Sequence, residues 1–554
     1  MTTIATRIER ATTQSGSITF VGASDAPDRV QWARLHDDAR GVAAVLQAKG
    51  VGPGDHVALL GPTSRPLVTA IQATWLAGAT VVVLPLPMRL GSIDEFVAQT
   101  RARVTAADAA LVVLDDDVAP FLEPRRSDPP MALLSELAPG PGQPTAASFE
   151  RPPDDPDALA LLQFTSGSTA EPKGVMLPHD RVLANLDAAQ AAVALDPSND
   201  VLVSWLPLYH DMGLIGLLTL PMITGTDLVL AGAQDFMASP ARWMEWMSAF
   251  GGTATAGPNF SYALAARALG RLGGLDLSRW RIGLNGAEPI DPSSVEDFCA
   301  AGERHGLDPR SVFCAFGMAE VTIAGTFPEP GAGMAVDCIE RRVLETDRYA
   351  APRGADEVAG AGTRRLARLG KPVDGLHLRI VEPETGRPMR EREVGELEFR
   401  GTSVTPGYYR RPTETARVFR DGWLRTGDLA YLVDGELVVC GRIKDVIIVG
   451  GRNVFPEDVE RAVASVAGVR AGNVIAFGVE GRRGREAVVV VAETKADELG
   501  PVRDEVSRRV RQAVGVPLRD VVLVSPGTLP KTSSGKLQRA LCRSRYLSAE
   551  LQPI

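Results

Sequence analysis

Cysteine is scarce. The 554 residues hold five, at Cys299, Cys314, Cys338, Cys440 and Cys542, with no C-x-x-C pair. A disulfide framework is excluded, and reduced thiols in a reducing, cytoplasmic compartment are expected. A surplus of positive charge is also missing: Lys and Arg number 59 against 68 Asp and Glu, a formal charge of −9. Such a chain lacks the field that holds nucleic-acid phosphates or anionic lipid surfaces, so neither partner is expected. The start, MTTIATRIERATTQ, carries Arg7, Glu9 and Arg10 and no apolar core, so no secretory leader is expected. One uncharged stretch, Leu67 to Pro87, is long enough to suggest a membrane span. Gly78 divides it into a helix-like half and the β-branched run TVVVLPLP, closed by Pro85 and Pro87. Buried helix, turn and buried strand is the better reading, with no membrane span.

What is present is an ordinary globular mixture, 45% hydrophobic and 23% charged. At about 150 residues per domain the length allows three or four units. Arg34 to Lys49 places Leu35, Val42, Val45 and Leu46 on one helix face, and His56 to Leu60 reads as a strand. LALLQF, VLVSWLPL and LVLAG are further buried strands. Strands separated by helical patterns predict βαβ units, hence an α/β class with parallel sheets covered on both faces. Val118 to Asp157 holds ten prolines and reads as a surface connection. Near position 440 the pattern changes. Pro456 opens a helix with Glu457 and Asp458 in its first turn and Val459, Ala462, Val463 and Val466 on one face. VIAFGV, AVVVVAE, an amphipathic helix from Val502 to Val514 and DVVLVS follow, a small α+β domain.

The strongest chemical signal is Thr165-Ser166-Gly167-Ser168-Thr169-Ala170-Glu171-Pro172-Lys173-Gly174. It follows LALLQF, so it sits at the carboxyl end of a strand, where open α/β sheets bind ligands. Hydroxyls, backbone N–H groups and a lysine at this density suit phosphate oxygens. It is not a Walker A loop, because G-x-x-x-x-G-K-[ST] is missing.

This segment resembles the phosphate loop of the adenylate-forming superfamily of acyl-CoA synthetases, peptide-synthetase adenylation domains and luciferases. Other matches follow in family order: Asn285-Gly286-Ala287-Glu288-Pro289, Phe316-Gly317-Met318-Ala319-Glu320-Val321-Thr322, Trp423-Leu424-Arg425-Thr426-Gly427-Asp428, Gly441-Arg442-Ile443-Lys444-Asp445 and Pro530-Lys531-Thr532-Ser533-Ser534-Gly535-Lys536. The resemblance implies a large N-terminal adenylation domain over 1–441. It also implies a small C-terminal lid over 442–554 that carries the catalytic lysine and rotates about a hinge. It implies ATP and Mg²⁺ as cofactors. Thr165, Ser166, Gly167, Ser168, Thr169, Lys173, Gly286, Ala287, Glu288, Phe316, Gly317, Met318, Ala319, Asp428 and Arg442 would bind ATP, with Asp428 on the ribose. Glu320 and Thr169 would hold the metal, Lys536, Glu320 and His210 would serve catalysis, and Lys444 would be the hinge. Ala170 departs from the family pattern, replacing its second glycine.

Two features resemble one branch, the fatty acyl-AMP ligases. Ser204-Trp205-Leu206-Pro207-Leu208-Tyr209-His210-Asp211-Met212-Gly213-Leu214-Ile215-Gly216 is similar to their acyl-side motif. On this likeness Trp205, His210, Met212, Leu214, Ile215, Gly257, Pro258 and Phe260 line an acyl pocket. Fifty positions separate Glu320 from Gly370, roughly twenty more than in acyl-CoA synthetases on a motif reading. The excess, near 336–365, resembles the branch insertion that packs near the domain interface. The implied function is ATP-dependent activation of a fatty acid to acyl-AMP, followed by transfer to the phosphopantetheine thiol of an acyl carrier protein for polyketide, nonribosomal peptide or lipid synthesis. The rivals are an acyl-CoA synthetase, a peptide-synthetase adenylation domain and a non-catalytic nucleotide-binding protein.

Overall fold

Runs of Val, Ile and Leu too short for helices form two parallel sheets in the computed structural model. It describes residues 2–22, 26–86, 93–138, 140, 143–165, 172–354, 362–480, 486–532 and 536–554. The first sheet runs Val312–Cys314, Ile282–Gly286, Ala254–Pro258, Val201–Ser204, Asp227–Ala231, Ser17–Val21 and Asp28–Gln31, parallel except for its last pair. The second runs Met131–Leu133, Leu111–Leu114, His56–Leu60, Thr80–Val83, Leu159–Thr165 and Lys173–Pro178, parallel except for its last pair. Both match the βαβ expectation. Leu67 to Pro87 resolves into the helix Arg65–Leu76 and the strand Thr80–Val83, with Gly78 at φ 80° between them. Among the described residues no helix is long and apolar enough to cross a membrane.

The proline-rich segment needs a correction. It carries surface connection, but it also supplies the edge strand Met131–Leu133 and the short helix Leu134–Leu137, and Leu122, Leu134 and Leu137 are buried. Proline lacks a ladder N–H, so it flanks an edge strand and does not forbid one.

A third, antiparallel sheet is built from Leu376–Val381, Gly395–Gly401, Trp423–Val433 and Phe419–Arg420, with Glu436–Arg442 alongside. Beyond it the chain forms a separate three-stranded mixed sheet, Val469–Glu480, Glu486–Thr494 and Leu518–Val524. The helices Pro456–Ala464, Leu499–Ala513 and Arg539–Leu547 cover this sheet. Its two apolar clusters draw only on residues from Ile447 onward. A small α+β C-terminal domain therefore has its own core.

The long segment after Glu320 is a brace between the two domains. Strands Val336–Glu340 and Thr363–Ala367 pair antiparallel and flank the helix Arg341–Asp347. Arg341 donates to the Ala513 carbonyl. Arg452 of the small domain pairs with buried Glu345, and Asn453 Nδ2 donates to the Glu345 carbonyl at 2.9 Å. Deeper still, Arg364 and Asp458 form an ion pair at 3.0 Å with side chains only 2% and 1% exposed. Arg364 also donates to the Cys440 carbonyl at 2.7 Å and lies 4.3 Å from the Phe455 ring centroid.

Removing one member of a buried pair strands a charge, whereas removing both can be neutral. Asp458→Asn should therefore destabilise the protein by about 3 kcal/mol, and Arg364→Met with Asp458→Leu should recover most of that loss. Calorimetric melts of the single and double variants check this; a single variant no worse than the double would mean the pair does not hold the seam.

Candidate active site

The Thr-Gly-Asp sequence is aimed by a β-bulge. Register between Gly395–Gly401 and Trp423–Val433 shifts between Glu396 and Glu398, and Gly427 takes φ 72°, a conformation glycine adopts freely. Thr426 Oγ1 donates to the Leu397 carbonyl at 2.8 Å and accepts the Asp428 N–H at 3.0 Å. Asp428 is then cross-strand partner to Arg442, whose Nε donates to Asp428 Oδ1 at 2.9 Å. The carboxylate is buried while the guanidinium is 55% exposed, so Arg442 can still meet a ligand.

Glu320 sits in a strained turn. Its short helical turn, Ala319–Val321, ends at Thr322 with φ 77° and ψ −63°, a γ-turn that a β-branched residue rarely adopts. The Thr322 hydroxyl donates to the Ser403 carbonyl at 3.0 Å, and Thr405 N–H donates to the Glu320 carbonyl at 2.8 Å, which hold the turn. Gly317 is required just upstream, since a Cβ there would collide with the Ile323 carbonyl. Tyr408 O–H donates to Glu320 Oε1 at 2.8 Å, and the Lys173 ammonium lies 5.6 Å from the Tyr408 ring centroid. Lys173 pairs in register with Thr165 at the base of the hairpin. Ser166, Gly167, Ser168 and Thr169 lie outside the described residues, as does Ala170.

At the carboxyl ends of the first sheet, Glu288 Oε1 accepts the Phe260 N–H at 2.6 Å. Ala287 takes φ 69°, and a Cβ on Gly286 would sit 3.1 Å from the Ala315 carbonyl. Asn285 is fully buried, and its Oδ1 has no partner among the described residues. On the neighbouring strand end, His210 Nδ1 lies 2.6 Å from Asp211 Oδ1, which also accepts the Met212 N–H at 2.7 Å. A separation that short from a carboxylate puts the proton on Nδ1. Met212–Thr219 continues as a π-helix, in which the Leu220 N–H reaches back to the Ile215 carbonyl. Such stretches collect at functional sites.

The electrostatics join these pieces. Burial pushes the Lys536 ammonium below the usual lysine value, while Asp211, Glu288 and Asp428 hold it up. Burial pushes the Asp428, Glu288 and Glu320 carboxyls up, opposed by Arg442, by the Phe260 N–H and Lys536, and by Tyr408 respectively. Burial would also raise Asp211, but His210 and Lys536 outweigh it and hold that carboxyl low. Two cations from the end of the chain, Arg442 and Lys536, thus face four carboxylates of the large domain.

Other predicted residues stand apart. Lys444 is exposed at the turn Ile443–Asp445. Phe316 stacks on Phe399 with ring centroids 5.9 Å apart, and Met318 and Ala319 flank the Glu320 turn. Trp205 is buried, stacked on Phe236 at 3.7 Å and edge-on to Trp243 and Phe260. Met212, Leu214, Ile215, Gly257 and Pro258 are buried around the same strand ends. Sequence reasoning missed Tyr408, which orients Glu320. The one available signal was the Gly407-Tyr408-Tyr409 run.

A family model described as AMP-binding enzyme matches residues 8–409. The chain belongs to that family. It is a ligase of the adenylate-forming class. A protein of Mycobacterium tuberculosis named as a ligase is 38% identical over 540 residues, 96% of each chain. A long-chain-fatty-acid–AMP ligase of Mycobacterium bovis is 33% identical over 578 residues, 98% of this chain and 96% of that one. A relative of like identity is named as a fatty-acid–CoA ligase. A structure from work on fatty acyl-adenylate ligases of E. coli and L. pneumophila superposes with a TM-score of 0.91 at 31% identity, covering 99% of this chain and 98% of that one.

The burial cost at Glu320 has a stability consequence. A carboxyl whose pKa is raised on folding binds more protons in the native state than in the unfolded one. Stability therefore falls as pH rises from the unfolded pKa through the folded one. Glu320→Gln keeps an acceptor for Tyr408 and removes the desolvated charge. Its melting temperature at pH 7 should exceed wild type by roughly a degree or two, and the gain should vanish below the unfolded glutamate pKa. A lower melting temperature at pH 7 would show the charge to be well compensated.

Proposed function

We propose that this protein activates a fatty acid with ATP and passes the acyl group to the phosphopantetheine thiol of an acyl carrier protein. The observation that carries the reading is the Arg442–Asp428 pair and the Tyr408-held Glu320, with Lys536 near enough to Asp211, Glu288 and Asp428 for their charges to hold its ammonium up. The substrate carboxylate attacks the α-phosphorus of ATP, the acyl–phosphate oxygen bond forms, the α–β bridging bond breaks and pyrophosphate leaves. No proton moves, so no general base is required, and His210 lines the acyl side. The barrier is the approach of two anions, which positioned cations lower. Lys536 bridges carboxylate and α-phosphate, Asp428 accepts the ribose hydroxyls, and Lys173 with the 165–169 loop holds the leaving pyrophosphate. Asn285 Oδ1, with no partner among the described residues, lies beside the Gly286–Ala287 turn and suits a base with an amino group.

Mg²⁺ fits as a phosphate-bound ion. Among the described residues no cluster of three metal-binding side chains exists. An ion held by one carboxylate and substrate phosphates needs none, and Glu320, with Thr169, would hold it. Bound there it would neutralise phosphate charge.

The thiol acceptor follows from the brace. Residues 1–441 and 442–554 act as the two bodies, with Lys444 as hinge. The second step needs Lys536 withdrawn. The Glu345 and Arg364 contacts must then break or shift, which disfavours the arrangement open to free CoA. The rival is an acyl-CoA synthetase, differing only in the thiol.

Fatty acids should give ATP-dependent hydroxamate in a hydroxylamine trap, and amino acids should not. Acyl-carrier-protein thioester should form far faster than acyl-CoA when both thiols are offered; equal rates would assign the chain to the rival. Lys536→Ala should slow adenylation about a hundred-fold or more, as loss of a charge-stabilising donor does. Thioester formation from chemically made acyl-adenylate should change little in that variant. Parallel loss of both steps would remove the role given to Lys536.

A further inference from the structure

Lys536 must be seated in the site and withdrawn from it, yet the hinge residue Lys444 lies 92 positions earlier in the chain. The covalent path between them crosses the whole small domain. A shorter path runs through space. Arg539, the first residue of the helix Arg539–Leu547, reaches back to the turn Ile443–Asp445 that contains the hinge residue. Its Nη1 donates to Asp445 Oδ2 at 2.6 Å. Its Nη2 donates to Glu460 Oε1 and Oε2 at 3.0 and 3.1 Å and to Glu457 Oε1 at 3.4 Å. Its Nε donates to the Ala476 carbonyl at 3.0 Å.

One guanidinium thus serves three carboxylates, and all four side chains are only 13–18% exposed. The surplus negative charge fixes Arg539 from three sides, and Glu457 Oε2 is buried with no hydrogen-bond partner among the described residues. A planar fork can do this and a point charge cannot. On its other side Arg539 adjoins the described residues around Lys536. Thr532 N–H donates to the Lys536 carbonyl at 2.8 Å, Lys536 N–H to Thr532 Oγ1 at 3.0 Å, and Gln538 N–H to the Pro530 carbonyl at 2.9 Å.

We propose that Arg539 is a positioning residue, a strut that ties Asp445, the residue just after the hinge, to the lysine loop, so that rotation about Lys444 delivers Lys536 without slack. This rests on the roles given above to Lys444 and Lys536. Both ends of the strut lie beyond the hinge, so its contacts travel with the small domain. Glu457 and Glu460 belong to the helix Pro456–Ala464, and their bonds hold the domain together. Asp445 belongs to neither that helix nor the three-stranded sheet, so its bond is the one that reports on the hinge.

The full-length chain is tested as Asp445→Asn and Arg539→Lys. Arg543→Ala, which loses a 2.8 Å bond from the same helix to the Gly478 carbonyl, is the control. Three readouts are taken: hydroxamate formation, thioester formation from chemically made acyl-adenylate, and amide exchange at Lys536 and Gln538 in the ligand-free protein. Asp445→Asn and Arg539→Lys should slow adenylation about ten-fold or more, as ångström-scale misplacement does. They should leave thioester formation near wild type and speed exchange at both amides. Arg543→Ala should show no such split. Parallel loss of both steps with a lower melting temperature, or unchanged exchange in Asp445→Asn, would overturn the strut. Should wild type adenylate no carboxylic acid, the function reading falls and exchange alone decides: faster exchange upholds the strut and unchanged exchange removes it.

Discussion

A carboxylate and a polyphosphate repel each other, and the active site is arranged around that repulsion. Cations must be present when the two anions meet, but a permanently buried cation would trap the product. On the proposed reading the chain resolves this by carrying Lys536 on a separately cored domain, while Arg442 stays paired with Asp428 in the third sheet of the large one. Burial pushes Glu288, Glu320 and Asp428 toward their neutral forms even with Lys536 and Arg442 nearby. Only Asp211 is held low, by His210 and Lys536. The site is therefore tuned to accept positive charge, whether from Lys536 or from a phosphate-bound cation.

The same constraint explains where strain is stored. Thr322 at φ 77° and Ala287 at φ 69° occupy conformations costly for residues with a Cβ. Each adjoins a carboxylate of the cluster, Glu320 and Glu288. The bonds that hold the Thr322 turn, the Thr405 N–H on the Glu320 carbonyl and the Thr322 hydroxyl on the Ser403 carbonyl, come from the chain just before Tyr408. Tyr408 then fixes the carboxylate itself. A loop with no recognisable chemistry thus aligns Glu320.

This bears on what was legible in the sequence. Strands His56–Leu60, Leu159–Thr165 and Asp227–Ala231 were readable because a strand buried on both faces must be apolar throughout, and nothing else competes for such runs. The edge strand Met131–Leu133 was not, because proline density points to loops and an edge strand needs only half a ladder. Asp428 and Arg442 could be named from motifs, but that they form a cross-strand pair required the register set by the bulge. Tyr408 was illegible because its role is to a side chain 88 residues away, which no local pattern encodes. The insertion was visible as length alone. Of its partners, Asp458 read only as a first-turn acid of its own helix, and Arg452 and Asn453 carried no signal.

The seam sets ion pairs beside an apolar cluster in which Ile339, Leu344 and Leu366 pack with Phe455 of the small domain. Arg364–Asp458 and Arg452–Glu345 each pair one residue from the insertion with one from the small domain. An apolar seam would bind as tightly but would tolerate sliding, because its free energy follows area and not direction. Ion pairs with fixed geometry give one closed position and lose most of their energy when displaced slightly. Opening must then hydrate two pairs at once, a cost that water can meet only if the domain moves far enough to admit it. On the proposed reading this makes the closed state a well-defined place for Lys536. It also makes departure an event that needs a partner, one whose own contacts with the domains offset the broken pairs. A free small thiol brings few such contacts, whereas a folded carrier brings a surface.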